Sequence, residues 1–474
     1  MRVLHTSTEC YPAAKTGGLG DVVGSLPKYL PGWGVQADVV IPRYDVPWIT
    51  AQDWKEVFRG KARLGIFEIP FAVLQLQGNV LPFPLYTVDI PGKFDRPGIY
   101  TDPSGNYYWD EQERNICFQQ AILQWCRVYP PDILHCHDHH TGLIPFMANY
   151  CPEYGSLYGI PTVFTIHNGR YHGAFGWDRL YAIPFFNGYW GGLLEWEGII
   201  NPLAAGIKCS KKVTTVSNAY LNELRGFANG LESLFRAEHA KSVGILNGID
   251  TEVWDPKTDK LLYQKLRSSI DHYRARNKAV ICERFGLERS LPMISFIGRL
   301  VLEKGADILP HIAYQALNRN FPITMVILGS GDPHLQDELN NLKMMFPGHL
   351  NVYIGYHEGL AHQLYAGSDF ILMPSRVEPC GLNQMYAMRY GSIPIVRRTG
   401  GLIDSVVDIG DEGGRGIMFN HVTVPDIMHA LDRARAFYDD RESFKKIRGN
   451  IMELDFSWTN AVKSYVSLYH EITQ

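Results

Sequence analysis

The sequence predicts an α/β protein of two Rossmann-like, doubly wound halves facing across a cleft. Three observations carry the fold class. Short unbroken apolar runs alternate with helix-like stretches along the whole chain, which implies parallel strands covered on both faces. The 474 residues exceed what a single core sustains, so two domains are expected. A charged, irregular stretch at 251–289 separates the runs into two sets.

In chain order, Val3-Leu4-His5 opens a strand that runs into the glycine-rich loop KTGGLGD at 15–21. A helix is expected over 21–30, then a strand at Val39-Val40-Ile41. Apolar runs broken by Gly-Asn and Pro turns, from about 55 to 90, read as a β-hairpin insertion. Residues 111–128 have a helical pattern that Pro130-Pro131 stops, and DILHCHD, PTVFTIHN and KKVTTVSN follow as strands. In the second half MISFIGRL, ITMVILGSGD, LNVYIGY, FILMPSR and IPIVRRTGG each read as a buried strand. The amphipathic end of the chain reads as a helix that crosses back onto the first half. The expected domains are 1–250, a linking region 251–289, a second domain 290–456, and the returning helix 457–474.

Composition excludes several classes. The chain is 46% hydrophobic and 20% charged, with a net charge of −4. That balance exerts no strong pull toward nucleic acid or an anionic membrane, so an anionic ligand must meet locally placed cations. MRVLHTSTECYP lacks a basic stretch followed by an apolar run, and no apolar stretch is long enough to cross a bilayer. The eight cysteines are scattered, as expected of reduced thiols in a cytoplasmic protein.

In doubly wound sheets, ligands bind beyond the carboxyl ends of the strands. The loops at those ends are KTGG, HDHH, HNG, GRLVLEKG, GSGD and PSRVEPCG. In the first, Gly17 and Gly18 can adopt positive φ and admit an anion to backbone N–H groups, a helix N-terminus stands behind them, and Lys15 adds a full charge. The dinucleotide fingerprint Gly-x-Gly-x-x-Gly matches only weakly, because Val23 occupies its last position. A plain tight turn explains the glycines but not the lysine, and on this motif alone both readings stand.

GRLVLEKG puts Arg299 and Lys304 just past a strand. Solvated surface cations are the ordinary alternative. A unit charge about 4 Å from a departing diphosphate contributes on the order of 4 kcal/mol at an effective dielectric of about 20, before desolvation. The chain has no Asp-x-Asp, the pattern that holds the diphosphate cation of metal-dependent transferases. In PSRVEPCGLNQMY, Glu378 lies between a strand and a helix expected to start at Pro379. The amides of Gly381 and Leu382 would face a phosphate while Glu378 accepts sugar hydroxyls; the plainer alternative is an ordinary helix-start carboxylate. Cys380 reads as a small filler. HCHDHHTG is rich in potential ligands, but neighbours on a strand point to opposite faces, so no metal site is assigned. Asp138 is the stronger sugar contact, and His167 reads either as a second one or as a satisfied core histidine. The aromatic run at 181–196 could stack on a glucan or simply pack, and no role is assigned to it.

Taken together, KTGGLGDVVGSLP, DRPGIYTD, HCHDHHTGLIP, TIHNG, LNGID, GRLVLEKG, IGYHE, PSRVEPCGLNQMY and RRTGG resemble, in order and over essentially the whole chain, the bacterial glycogen synthases and plant starch synthases of glycosyltransferase family 5. The resemblance implies the GT-B fold and a retaining transfer of glucose from ADP-glucose, or UDP-glucose, to an α-1,4-glucan, without cofactor or metal. It implies that Lys15 and Gly18 meet the donor phosphates or glucose, Arg299 and Lys304 the diphosphate, and Tyr356 the base. Glu378 would hold the donor sugar, lined by Cys380, Gly381 and Leu382. Asp138, His167 and Asn168 would lie by the reacting glucose, with Tyr100 and Asn247 as secondary contacts. Four departures stand out: His139 for a usual Trp, His172 for a customary Gln, Glu303 for a common Gln, and Asn383 for a frequent Thr. The first two leave acceptor preference open. A GT-B transferase with another acceptor and an inactive glucan-binding relative are the alternatives; retention of Lys15, Arg299, Lys304 and Glu378 disfavours the latter.

Overall fold

The apolar segments of the first half form one mixed sheet in the computed structural model, which describes residues 1–267, 269–319 and 321–473. The chain divides into two units, Met1–Gly248 together with the segment from Trp458 onward, and Ile249–Ser457.

Unit 1 contains β1 (Arg2–Thr6), β2 (Gln36–Pro42), β3 (Trp54–Leu64), β4 (Phe67–Leu76), β5 (Leu85–Asp89), β6 (Ile133–His137), β7 (Thr162–Ile166), the short pair β8 (Glu195–Trp196) and β9 (Ile199–Ile200), β10 (Lys212–Thr215) and β11 (Ser242–Gly244). Apart from the β8–β9 pair, they form a nine-stranded sheet in the order β11-β10-β7-β6-β1-β2-β5-β4-β3. The seven-strand part from β11 to β5 is parallel, and the β3–β4 hairpin adds two antiparallel strands at one edge. The insertion expected over about 55–90 is shorter here: the hairpin occupies Trp54–Leu64 and Phe67–Leu76, and β5 belongs to the parallel part. β1, β6 and β7 are almost wholly buried, as strands covered on both faces must be.

The helix Trp458–Thr473 belongs to unit 1. Its Trp458, Val462, Tyr465 and Tyr469 pack with Val3, Val22, Leu26, Ile133 and Val163 in one apolar cluster. Its buried positions recur at helical spacing, so one stripe faces the sheet.

Unit 2 is a parallel sheet of β12 (Met293–Ile297), β13 (Thr324–Gly329), β14 (Leu350–Ile354), β15 (Phe370–Met373), β16 (Ile393–Arg397) and β17 (Ile417–Phe419), in the order β14-β13-β12-β15-β16-β17. The last strand was not anticipated; three residues are too short to give a pattern. Residues 251–289 lie within this unit, where the helix Ile270–Phe285 buries Arg274, Asn277 and Lys278. Lys278 Nζ and Arg448 Nη2 donate to Asp369 at 2.7 and 2.9 Å, and these two cations hold the buried carboxyl down at about 2 despite the opposing effect of burial.

Strand order reverses once in each sheet. From β1 the chain builds outward through β2 and then returns to β6 on the other side of β1; from β12 it builds through β13 and β14 and returns to β15. Such reversals open a crevice at the strands' carboxyl ends, where adjoining loops diverge.

Trp458 is 1% exposed, so Trp458→Ala is expected to destabilise unit 1 by about 3–5 kcal/mol. Urea unfolding followed in this unit checks it; a loss below about 1 kcal/mol would show that the terminal helix is not part of the core.

Candidate active site

In unit 1, the loops after β1, β6 and β7 carry the polar groups, and these three strands are neighbours. After β1, Glu9 is buried, and its carboxylate accepts from Thr16 N (2.6 Å), Thr16 Oγ1 (2.8 Å), Gly17 N (3.0 Å) and Tyr100 Oη (2.7 Å). It thus ties the glycine loop to the segment carrying Tyr100, and it sits at the start of the helix Gly18–Tyr29, where the helix dipole favours an anion. Sequence reasoning missed Glu9. The available signal was a lone acid just past the first strand. Lys15 is exposed and pairs with Asp21 at 2.7 Å.

The glycine loop departs from expectation. Gly17 is extended, with φ −150° and ψ −167°, and Gly18 already begins the helix, three residues ahead of the expected start. Neither adopts positive φ. A Cβ on either would meet nothing within 4 Å, so what the pair provides is an open approach to the helix N-terminus. Close packing falls on Gly24 instead, where a Cβ would lie 2.5 Å from Tyr11 O.

Asp138, directly after β6, holds φ 57° and ψ 176°, a region that is essentially glycine's alone. Its Oδ1 accepts the amides of His167 (2.7 Å) and Asn168 (3.4 Å), which joins the β6 loop to the β7 loop. Burial pushes its carboxyl up to about 7, against the opposing effect of those two amides. Asn247 is buried beyond β11, and its Oδ1 has no partner among the described residues. Tyr100 also bonds Thr8 Oγ1 at 3.0 Å and stacks on His140 at 5.0 Å. His139 lines a cavity of about 20 Å³ with Glu111, Asn115, Gln119 and Phe175.

The register explains a column of histidines. His5 pairs with His135 and His137 with Thr165, so His5, His135, His137 and His167 project from one face. Alternation along β6 therefore brings His135 and His137 together, and β1 adds His5, which the sequence reading had left out. Ring nitrogens of these three lie within 4.8 Å of one another. Every one except His5 Nε2 is already hydrogen-bonded: His135 to Tyr469 Oη (2.7 Å) and Thr165 Oγ1 (2.6 Å), His137 to His5 (3.1 Å) and His167 (2.9 Å). A metal bound there would have to break these bonds.

In unit 2, Lys304 follows β12 and Glu378 follows β15, on the two sides of the strand-order reversal. Lys304 Nζ donates to both Glu378 oxygens at 2.7 Å, and Ser375 Oγ adds a third bond at 2.8 Å. The Glu378 side chain is 6% exposed and that of Lys304 28%. The structure does not bring Arg299 into this pair; it lies 3.4 Å from Glu303 at the surface. Tyr356 is exposed beyond β14, two strands from β12.

Pro379 does not start a helix. The helix is Asn383–Tyr390, and Gly381 turns the chain before it at φ 70°. The positive φ is what favours glycine here, since a Cβ on Gly381 would meet only the end of the Gln384 side chain, 2.5 Å from its Oε1. Leu382 is the residue preceding the helix, and Cys380 is a buried filler. Gly401 N bonds Glu378 O at 3.0 Å, so the RRTGG segment braces the acidic loop; the glycine pair was visible in sequence, but its partner was not.

Residues 2–237 match the starch synthase catalytic domain and residues 291–435 the glycosyl transferases group 1 family. The chain is 48% identical to the glycogen synthase of Flavobacterium johnsoniae, with 100% of both chains covered. The catalytic domain of starch synthase IV from Arabidopsis thaliana, bound to ADP and acarbose, matches with a TM-score of 0.89 at 31% identity over 99% of each chain. A sucrose-phosphate synthase from Thermosynechococcus elongatus, 15% identical over 99% of this chain and 98% of its own, has a TM-score of 0.63 and shares the fold.

Asp138 generates a stability test. Its folded-state carboxyl at about 7 lies above the ordinary 3.8, so its contribution is full below about pH 4 and is lost as pH rises to about 7. Asp138→Asn removes this dependence. Relative to the parent, the variant should gain about 2 kcal/mol between pH 5.5 and 7, and little more above that. Parallel denaturant curves at the two pH values measure this; an unchanged difference would refute the raised carboxyl.

Proposed function

The chain belongs to the glycogen and starch synthase family of glycosyltransferases, and on that premise we propose that it transfers glucose from ADP-glucose to the non-reducing end of an α-1,4-glucan with retention of anomeric configuration. The observation that carries the reading is the Lys304–Glu378 pair at the unit 2 strand-order reversal. A cation whose position is held by a buried carboxylate is organised before substrate arrives, so little reorganisation is needed when charge develops.

In this mechanism the bond between the anomeric carbon and the phosphate oxygen breaks, and its electron pair leaves with the nucleoside diphosphate. Lys304 and Arg299 stabilise that charge, and Lys15 with the open approach at Gly18 contributes at the donor phosphates or glucose. The acceptor hydroxyl attacks from the face the diphosphate leaves, and its proton passes to the departing phosphate oxygen. Glu378 accepts hydroxyls of the donor glucose, with Cys380, Gly381 and Leu382 lining it. Asp138, His167 and Asn168 lie by the reacting glucose, and a backbone carbonyl near His167 stabilises its oxocarbenium-like state. Tyr356 stacks on the base, and Tyr100 and Asn247 are secondary contacts. The fixed cations do the work a metal does elsewhere, so the reaction runs without one. We place the enzyme in the cytoplasm; among the described residues no helix is long and apolar enough to cross a membrane.

Lys304→Ala is expected to lower kcat by about 10²–10³ with the fold intact. Near-normal turnover would remove Lys304 from the mechanism. Activity should persist in excess chelator, and loss restored by Mg²⁺ would refute catalysis by fixed cations alone. Labelled ADP-glucose and UDP-glucose, each offered with glycogen, maltooligosaccharides and small aglycones, decide donor and acceptor. The expected outcome is transfer from ADP-glucose to glucans; labelling of a small aglycone alone would reject the glucan reading.

A further inference from the structure

Three imidazoles form a continuous hydrogen-bonded chain from the buried centre of the unit 1 sheet to the loop beside Asp138. His5 Nδ1 lies 3.1 Å from His137 Nε2, and His137 Nδ1 lies 2.9 Å from His167 Nε2. His5 and His137 are fully buried, and His167 is 8% exposed. At the inner end, His5 Nε2 is buried without a partner. At the outer end, His167 Nδ1 has no protein partner among the described residues, and it is not among the sealed, unpaired atoms.

Such burial keeps the rings neutral, and a neutral imidazole carries one N–H and one lone pair. The chain therefore has two states, each involving all three rings. In one, His5 Nδ1–H donates to His137, His137 Nδ1–H donates to His167 Nε2, and His167 is left with its proton on Nδ1. In the other, every bond reverses; His167 offers a bare Nδ1, and His5 must carry its proton on Nε2, where no acceptor lies in reach. A buried N–H without an acceptor is rarer and costlier than a buried lone pair without a donor. The first state wins.

We propose that His5 and His137 are positioning residues that fix the tautomer of His167, so that its Nδ1–H points outward as a donor for a substrate oxygen. His135 does not take part, because both its nitrogens are committed to Tyr469 and Thr165. Strand pairing makes the relay possible: His5 on β1 reaches His137 on β6, which reaches the residue just past β7. That the donor acts on substrate rests on the proposed function; the tautomer itself does not.

Two measurements test this. Protein labelled with ¹⁵N-histidine, with His167 assigned by comparison with His167→Asn, reports the tautomer through long-range ¹H–¹⁵N correlations. The expected pattern for His167 is a protonated Nδ1 and a bare Nε2; a protonated Nε2 overturns the proposal whatever the activity. The second measurement is kinetic. His5→Met offers His137 Nε2 an acceptor and no donor, so it should reverse the relay, move the His167 proton toward Nε2 and lower kcat about tenfold, with both KM values within about twofold. His5→Asn carries an amide N–H where Nδ1–H stood and should keep the parent tautomer and most of kcat. If His5→Met leaves both tautomer and kcat unchanged, the relay is refuted; if it does not fold, the spectrum of the parent protein still decides. The expected tautomer in a protein that makes no glucan would reject the functional reading and leave the relay standing.

Discussion

The parallel pairing of β1, β6 and β7 is the constraint on which the unit 1 site depends. It sets side by side three carboxyl ends that are far apart in sequence, and it puts one face of each strand into a common column. Glu9, Asp138 and the amides of His167 and Asn168 follow from the first consequence, and the histidine chain from the second. A slip of one residue in any of the three would send its polar groups to the opposite face. The terminal helix seals this column, since Tyr469 both packs in the apolar cluster and bonds His135.

Burial and strain gather at the same loop. Asp138 combines a backbone conformation costing on the order of 1–3 kcal/mol with a carboxyl that burial pushes up to about 7. Each alone opposes folding, and together they persist because the β6 and β7 loops are tied through that one carboxyl oxygen. Unit 2 treats charge differently. Glu378 is as buried as Asp138, but a lysine and a serine satisfy it, and the glycine pair of RRTGG braces its backbone. In a chain of net charge −4, cations matter by placement, and both Lys15 and Lys304 are placed by a carboxylate partner.

Most strands were legible because a strand covered on both faces must be an apolar run, and that run survives in the linear sequence. The hairpin at 54–76 was legible from its turns, and the three-residue β17 was not. Motif reading placed Lys304, Glu378, Asp138 and His167 in loops after strands, where they lie, because the loop after a strand can be read once the strand is. Glu9, Ser375 and His5 escaped, as each acts through a partner that only folding supplies. The glycine loop was found, but its backbone was misread: a glycine retained for open space and one retained for positive φ look the same as letters.

By itself, then, the sequence determined the alternation of elements, the two-part organisation, the family, and which residue types stand at which strand ends. All of these are local or additive: apolar runs, turn residues and motif order need no knowledge of what lies across the sheet. Only the tertiary structure decided which residues meet. The reversal of strand order put Lys304 against Glu378, and register aligned His5 with His137 and His167. Removal from water raised the Asp138 carboxyl and, at Asp369, was outweighed by two cations brought in from distant helices. Pairing and burial depend on the whole chain at once, which is why no single segment encodes them.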